Sequence, residues 1–430
     1  MSAKSLFHLI KYILSVLMIL ILSLPGLSQE SENYGKTPNK LVPYVNYQKA
    51  YKMFFLEPQL FLGPGRDKKA PVELETVRIG FLGPLEGSVE EALGRQMLQG
   101  SLLAIEEANA KGGYNGIPYE LMKHNDVGLW GAAANTMVKM DEEGVWAILG
   151  SIDGTVTHVA LRVALKLEIP MVNTGDPDPT LTETRIPWII RNIGDDRQSS
   201  YALANEIYLV RGYKHVAVLR TNVRYGRVGV KEFSDASKRL GHPLLFELQF
   251  SEGDTSFTDQ LKRIGNTPAE AIVIWGNARE TAAILKQLRA MGMSQAIFGS
   301  DRLVSQEFLE LAGNDADGVI STYPYNPTLN EPYLKQFNEN YRKRFDLEPN
   351  SFAAHAYDGM NLIIQAIDHA GLNRAKIRDV LTDLHTFQGY QGVTGRLILD
   401  ASWNDVGDIW MAEIKDGEFV YFTVKTTRNQ

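Results

Sequence analysis

The chain has no cysteine among its 430 residues. Disulfides, thiolate metal sites and a lipid-modified cysteine are therefore all excluded. Long apolar runs are as scarce. Apart from Tyr12 to Leu22, no stretch approaches the length of a membrane span. A basic stripe and an RNP-like aromatic run are also missing, and the formal net charge is −7, so nucleic acid is not expected as a partner. The chain holds no GxSxG elbow, no P-loop and no HExxH, and no two of the histidines beyond His8 lie within four residues of each other. Carboxylates are plentiful, but their spacing singles out no acid/base pair. No cofactor motif and no metal ligand set stands out, and Asn314–Gly318 begins like a calcium loop without its downstream Glu.

What is present starts at the N-terminus. Lys4 and Lys11 flank a short polar start, Tyr12 to Leu22 is almost wholly apolar, and Pro25-Gly26-Leu27-Ser28 follows. This pattern reads as a signal peptide over residues 1–28, with export to the periplasm and no lipid anchor; an uncleaved anchor helix is the alternative. Residues 29–75 form an extension rich in Pro, Lys and Asn that also carries Tyr34, Tyr44, Tyr47, Tyr51, Phe54, Phe55 and Phe61. A flexible linker has few aromatics. The segment reads as an arm packed on the domain surface or as a docking segment for a partner.

From Val77 onward strands and helices alternate. Val77–Leu82 reads as a strand, and a helix follows from near Ser88, with Glu90 and Glu91 in its first turn. Leu93, Met97, Ser101, Ala104, Ile105 and Ala108 recur at helical spacing, and Gly112-Gly113 ends the helix. Further strands are expected at Tyr119–Lys123, Val145–Leu149 and Pro170–Val172, with helices at Ala132–Glu143 and Val156–Leu167. A second round runs from near Ser199 to Thr322, including helices at Ala202–Arg211 and Gly226–Leu240. Two such rounds predict an α/β chain of two doubly wound, Rossmann-like lobes. Pro332–Phe345 and Ala353–Ala370 read as long helices, and Asp416-Gly417 between apolar runs as a hairpin turn. We expect lobe 1 to comprise residues 76–196 and 323–400, and lobe 2 residues 197–322 and 401–425. The loop Gly83–Ser88 lies where open α/β sheets place ligands.

Gly83-Pro84-Leu85-Glu86-Gly87, the run Ala104 to Asn109, Lys111-Gly112-Gly113, Gly150-Ser151, Tyr225–Gly229, Ala356-Tyr357-Asp358 and Gly392–Gly395 together resemble the type I periplasmic binding proteins of branched-chain amino-acid ABC transporters. The resemblance spans about residues 75–422. It implies two lobes joined by three crossovers that close over a small organic ligand, and a membrane permease that reads the closed form. It implies no cofactor, no catalysis, and a monomer or weak dimer. It places Leu85, Glu86, Ser151, Asp153, Gly154, Thr155, Thr174, Gly175, Asp176, Tyr225, Trp275, Asn277, Asp301 and Tyr357 at the ligand site. The family's hydroxyl positions for a ligand carboxylate fall on Gly154 and Pro177 here, with Thr155 and Thr174 as the alternative for a register shifted by one, while Asp153 and Asp176 add negative charge. An unpaired buried carboxylate is costly, so the pattern argues for a neutral or cationic ligand over a standard α-amino acid. Asp301 has a second reading as a helix N-cap, Tyr357 as core and Tyr225 as a surface turn residue. Two other functions stay open: a sensor or scaffold that docks a partner through residues 29–75, and a secreted enzyme, which the fold alone does not exclude.

Overall fold

The computed structural model describes residues 63–127, 130–383, 390–400 and 402–423. The expected signal peptide and most of the aromatic arm lie outside the described residues. Among those described, no helix is long and apolar enough to cross a membrane.

The chain forms two sheets of one design. The first has five parallel strands: β1 (Val77–Gly83), β2 (Tyr119–Asn125), β3 (Ile148–Gly150), β4 (Met171–Asn173) and β5 (Ile189–Arg191), in the order β2-β1-β3-β4-β5. The second sheet repeats that order with β6 (Val216–Thr221), β7 (Phe246–Phe250), β8 (Ala271–Trp275), β9 (Ala296–Gly299) and β10 (Ile320–Tyr323), read as β7-β6-β8-β9-β10. Their central strands are apolar on both faces, as covered parallel sheets require; every residue of β8 is buried. β11 (Gln391–Gly392) and β12 (Gly395–Arg396) are a small separate pair. β13 (Trp410–Lys415) and β14 (Glu418–Thr423) add an antiparallel hairpin to β10. Asp416 and Gly417 both have positive φ, 52° and 80°, the primed turn that suits strand twist.

The helices α1 (Glu91–Ala110), α2 (Trp130–Glu142) and α3 (Gly154–Leu167) cover the first sheet. After the short α4 (Thr180–Glu183), the second sheet is covered by α5 (Asp196–Ala204), α6 (Arg224–Arg239), α7 (Thr258–Gly265), α8 (Ala278–Ala290) and α9 (Gln306–Ala312). α10 (Pro332–Phe345), α11 (Ser351–Ala370) and α12 (Arg374–Thr382) return to the first sheet. There α10 is fastened to α1 through Asn340–Glu107 at 2.8 Å and Arg344–Glu106 at 2.9 Å. The helix after β1 starts at Glu91 rather than Ser88, because Ser88 Oγ accepts the Glu90 N–H at 3.1 Å and turns the chain first. β5 was not expected; at three residues it carries too little pattern to be read.

The chain crosses between the two sheets three times: after Arg191, after Tyr323, and after Trp403, whose indole is buried in the first core. Part of the extension is tied to the first lobe. Asn373 Nδ2 faces the carbonyls of Gly65, Arg66 and Lys68 at 2.9–3.1 Å, and Arg66 pairs with Asp379. Residues 63–68 are thus part of the folded lobe.

A close helix–helix approach lies at Gly100, where α1 meets α11. A Cβ there would lie 2.0 Å from the Ala353 carbonyl oxygen. Gly100→Val is therefore expected to lose about 1–3 kcal/mol in urea unfolding, whereas Gly131→Ala, on an open face of α2, is expected to be neutral or slightly stabilising.

Candidate functional site

The carboxyl ends of both sheets point into one cleft, and each strand end hands the chain to a loop that enters it. On the lobe 1 side, the loop after β3 turns into α3 at Asp153, whose Oδ1 accepts the N–H groups of Thr155 and Val156 at 2.8 and 3.0 Å. The Gly150–Ser151 peptide is cis. Asn173, at the end of β4, bridges the two neighbouring loops: its amide donates to Ser151 O at 2.9 Å and its Oδ1 accepts the Asp176 N–H at 3.1 Å. The loop Thr174–Thr180 then folds on itself, with Asp176 Oδ1 taking the Asp178 N–H at 3.0 Å.

Behind this loop sits Arg191, fully buried at the end of β5. Its guanidinium donates to the carbonyls of Asp176 (3.2 Å) and Asp178 (2.5 Å), to Asp195 Oδ2 (3.3 Å) and to Asn404 Oδ1 (2.6 Å). Asp195 and Gln198 cap α5 reciprocally. One side chain thereby joins a cleft loop to the first and third crossovers.

Lobe 2 contributes Arg224 and Tyr225 from the first turn of α6, and Asp301-Arg302 from the turn after β9. Tyr225 donates to Asp301 Oδ1 at 2.9 Å, and the Arg302 guanidinium lies 3.6 Å above the Tyr225 ring. Ion pairs that cross the cleft include Arg224 to Asp178 at 2.6 Å and Arg302 to Glu90, with Asn277 Oδ1 steadying Arg302 at 2.8 Å. The lobes are therefore shut, and the cavity left between them is about 10 Å³. A larger groove of about 460 Å³ lies beside the extension, near the amino ends of β1 and β3. That is the edge opposite the one where this topology places ligands.

Acid dominates the cleft. Asp176 is 1% exposed and Asp196 2%, and an Oδ2 of each has no hydrogen-bond partner. Burial, then repulsion from Asp178, pushes the Asp176 pKa well up. Burial, then Asp301 and its other acidic neighbours, does the same to Asp196. Burial also raises Glu90 and Asp301, each opposed by Arg302. Asp178 goes the other way: burial would raise it, but hydrogen bonds from His158 and Thr180 and the charge of Arg224 outweigh that and hold it well below the usual carboxylate range. Among the described residues no group of His, Asp and Glu is arranged to hold a metal ion.

The residues expected at the site separate into groups. Asp153, Gly154, Asp176 and Tyr225 line the cavity, and Asp301 bonds Tyr225 beside it. A Cβ on Gly154 would lie 3.1 Å from Arg224 Nε, so glycine there makes room for the arginine. Asn277 acts through Arg302. Thr174 and Gly175 are buried in the loop below, and Thr155 is exposed. Leu85 and Glu86 hang their N–H groups on Asn125 Oδ1 at 2.8 and 3.3 Å, with the Glu86 side chain exposed. The Ser151 hydroxyl is committed to Asp126. Trp275 packs in the lobe 2 core against Gly229. Tyr357 lies on the flank of lobe 1, donating to Glu107 at 2.5 Å and packed at a tilt against Phe337. Sequence reasoning passed over Glu90, Asp178, Asp196, Arg224 and Arg302. Each is in or beside a helix's first turn after a strand, and two adjoin residues that were singled out.

Two outcomes follow from this chemistry. Arg191→Met leaves Asp195 buried without its cation and is expected to cost about 3–5 kcal/mol in thermal or urea unfolding. Asp196→Asn is expected to stabilise the ligand-free protein by about 1–3 kcal/mol near pH 8. The raised pKa of Asp196 contributes stability below the ordinary carboxylate value of about 4, lost as pH rises through the folded-state value. The fall in Tm from pH 5 to pH 8 should accordingly be shallower in the variant.

Comparison with known proteins agrees with this geometry. A family model described as "Periplasmic binding protein" matches residues 76–418. The Leu/Ile/Val-binding protein homolog 2 of Brucella abortus is 25% identical over 357 residues, covering 80% of this chain and 93% of that protein. The structure of the branched-chain amino acid transporter substrate binding protein LivJ from Streptococcus pneumoniae, in complex with isoleucine, superposes with a TM-score of 0.75 at 26% identity, covering 81% of this chain and 99% of that one. A solute binding protein of an ABC transporter from R. palustris in complex with benzoate shares the fold at a TM-score of 0.73 and 17% identity, covering 81% and 96%. With sheet order, strand-end cleft and three crossovers in place, the chain belongs to the type I periplasmic binding protein family.

Proposed function

We propose that this protein captures a small organic molecule, neutral or cationic, in the inter-lobe cleft and delivers it to an ABC importer after export to the periplasm. The observation that carries the ligand part is the pair of unpartnered, buried carboxyl oxygens on Asp176 and Asp196. A ligand carboxylate placed against them would add like charge where burial already disfavours it. The positions at which the family resemblance puts carboxylate-binding hydroxyls are Gly154, against the Arg224 side chain, and Pro177, which also lacks an N–H donor. Branched-chain amino acids, the ligands in the relatives' names, therefore fit this cleft poorly.

Closure supports the transport reading. Arg224–Asp178 and Arg302–Glu90 connect opposite walls of the cleft, so opening must break both pairs. A ligand acts by shifting that open–closed balance. The alternative of a partner-docking extension has less to stand on, because residues 63–68 are fastened to lobe 1 through Asn373 and Asp379.

Thermal-shift measurements over amino acids, sugars, amines and aromatic acids test the reading. A true ligand at a hundredfold excess over its Kd should stabilise the protein by about 2.7 kcal/mol. Leucine, isoleucine and valine are expected to leave Tm unchanged; a shift with these alone would sink the ligand assignment. Mass spectrometry of small molecules released from the purified protein gives an independent identification.

A further inference from the structure

The cleft holds more carboxyls than cations. Asp153, Asp176, Asp178 and Asp196 line the cavity together with only two guanidiniums, Arg224 and Arg302. Those guanidiniums are already engaged: Arg224 by Asp178 and Thr180, Arg302 by Glu90 and Asn277. Neither neutralises Asp176 Oδ2 or Asp196 Oδ2, which are buried without a donor. Arg191 approaches the same loop from behind, but it donates to the backbone carbonyls of Asp176 and Asp178 and to the side chain of Asp195. Both residues line the same cavity, and the backbone ties their segments together, since the Asp196 N–H donates to the carbonyl of Pro177, next to Asp176, at 2.8 Å.

Unsatisfied buried acceptors are rare in folded proteins because each costs desolvation energy. Both line one small inter-lobe cavity, where a cationic donor that arrives when the cleft opens would satisfy the two oxygens and favour their ionised form. The donor must carry N–H groups and positive charge, which is the chemistry the cleft already accepts from Arg224 and Arg302 across the lobe boundary. We propose that Asp176 and Asp196 together form the receptor for a cationic nitrogen head group, a primary ammonium or a guanidinium, so that the solute is an organic cation. This rests on the solute-binding reading above and narrows it. Asp176 belongs to a lobe 1 loop and Asp196 to the first turn of α5 at the crossover, so a cation bound by both would bridge a lobe to its hinge and favour the closed state.

The test uses calorimetric titration and thermal shift on the whole protein with n-butylamine, 1,4-diaminobutane and agmatine as cations, n-butanol as a neutral comparator and benzoate and leucine as anionic and zwitterionic ones. At least one cation should bind and raise Tm, while n-butanol does not. Asp176→Asn and Asp196→Asn should each weaken that cation at least tenfold, with the ligand-free Tm unchanged or raised, showing that the variants fold. Glu418→Gln, an exposed change on the β13–β14 hairpin, should bind as the parent does. Binding of benzoate or leucine without any cation would overturn the cation receptor and leave the solute-binding reading standing. Cation binding undiminished in both Asn variants would also overturn it. So would silence from every cation, in which case the released-ligand mass spectrum decides separately whether the cleft binds a solute at all.

Discussion

Arg191 is the residue on which the closed architecture depends. Its guanidinium is fully buried, yet its contacts reach a cleft loop through the carbonyls of Asp176 and Asp178, the first crossover through Asp195, and the third crossover through Asn404. The rigid fork of an arginine serves this role where a lysine would not, because several acceptors in different directions must be met at once. Burying such a charge costs free energy that only a full complement of partners offsets. The position of the loop, and hence of Asp176, follows from that requirement.

On this support the cleft keeps a strained electrostatic balance. Two guanidiniums from lobe 2 meet Asp178 and Glu90 of lobe 1, and the neighbouring Asp176 and Asp196 keep unpartnered oxygens. Polar imbalance of this kind is destabilising by itself and concentrates where a protein binds or reacts. The same fold is solved in complex with isoleucine in one similar protein and with benzoate in another. The two sheets and their strand-end geometry are thus a common frame, while the groups at the strand ends set what the frame accepts.

Much of the fold is legible in the sequence, and the helix starts that it places too late share a cause. Strand–helix alternation gave the two lobes, and Asp416-Gly417 gave the hairpin. Several helices, however, were begun too late: at Val156 rather than Gly154, at Ala202 rather than Asp196, at Gly226 rather than Arg224. Apolar periodicity detects the face that packs on the sheet. The first turn of each of these helices is polar instead, because it faces the cleft, and that is where Asp196, Arg224 and Tyr225 sit. Residues that weaken the helical pattern are here the ones that line the site. Trp275 and Tyr357 differ in the opposite sense: large aromatics near strand or helix ends read as pocket walls, but Trp275 packs against Gly229 and Tyr357 against Phe337.

The amino-acid sequence by itself determined the sheet class, the repeat of the α/β unit and the family. These are local properties, set by periodicity and residue type at positions a few residues apart. Only the tertiary structure decided which charges meet. Arg302 finds Glu90 from 212 positions away along the chain, Arg191 finds Asn404 from 213, and Asp196 is set against the Asp176 loop by a backbone hydrogen bond. Coulombic pairing and desolvation depend on distance and burial in three dimensions, and neither is encoded in the spacing of the residues along the chain.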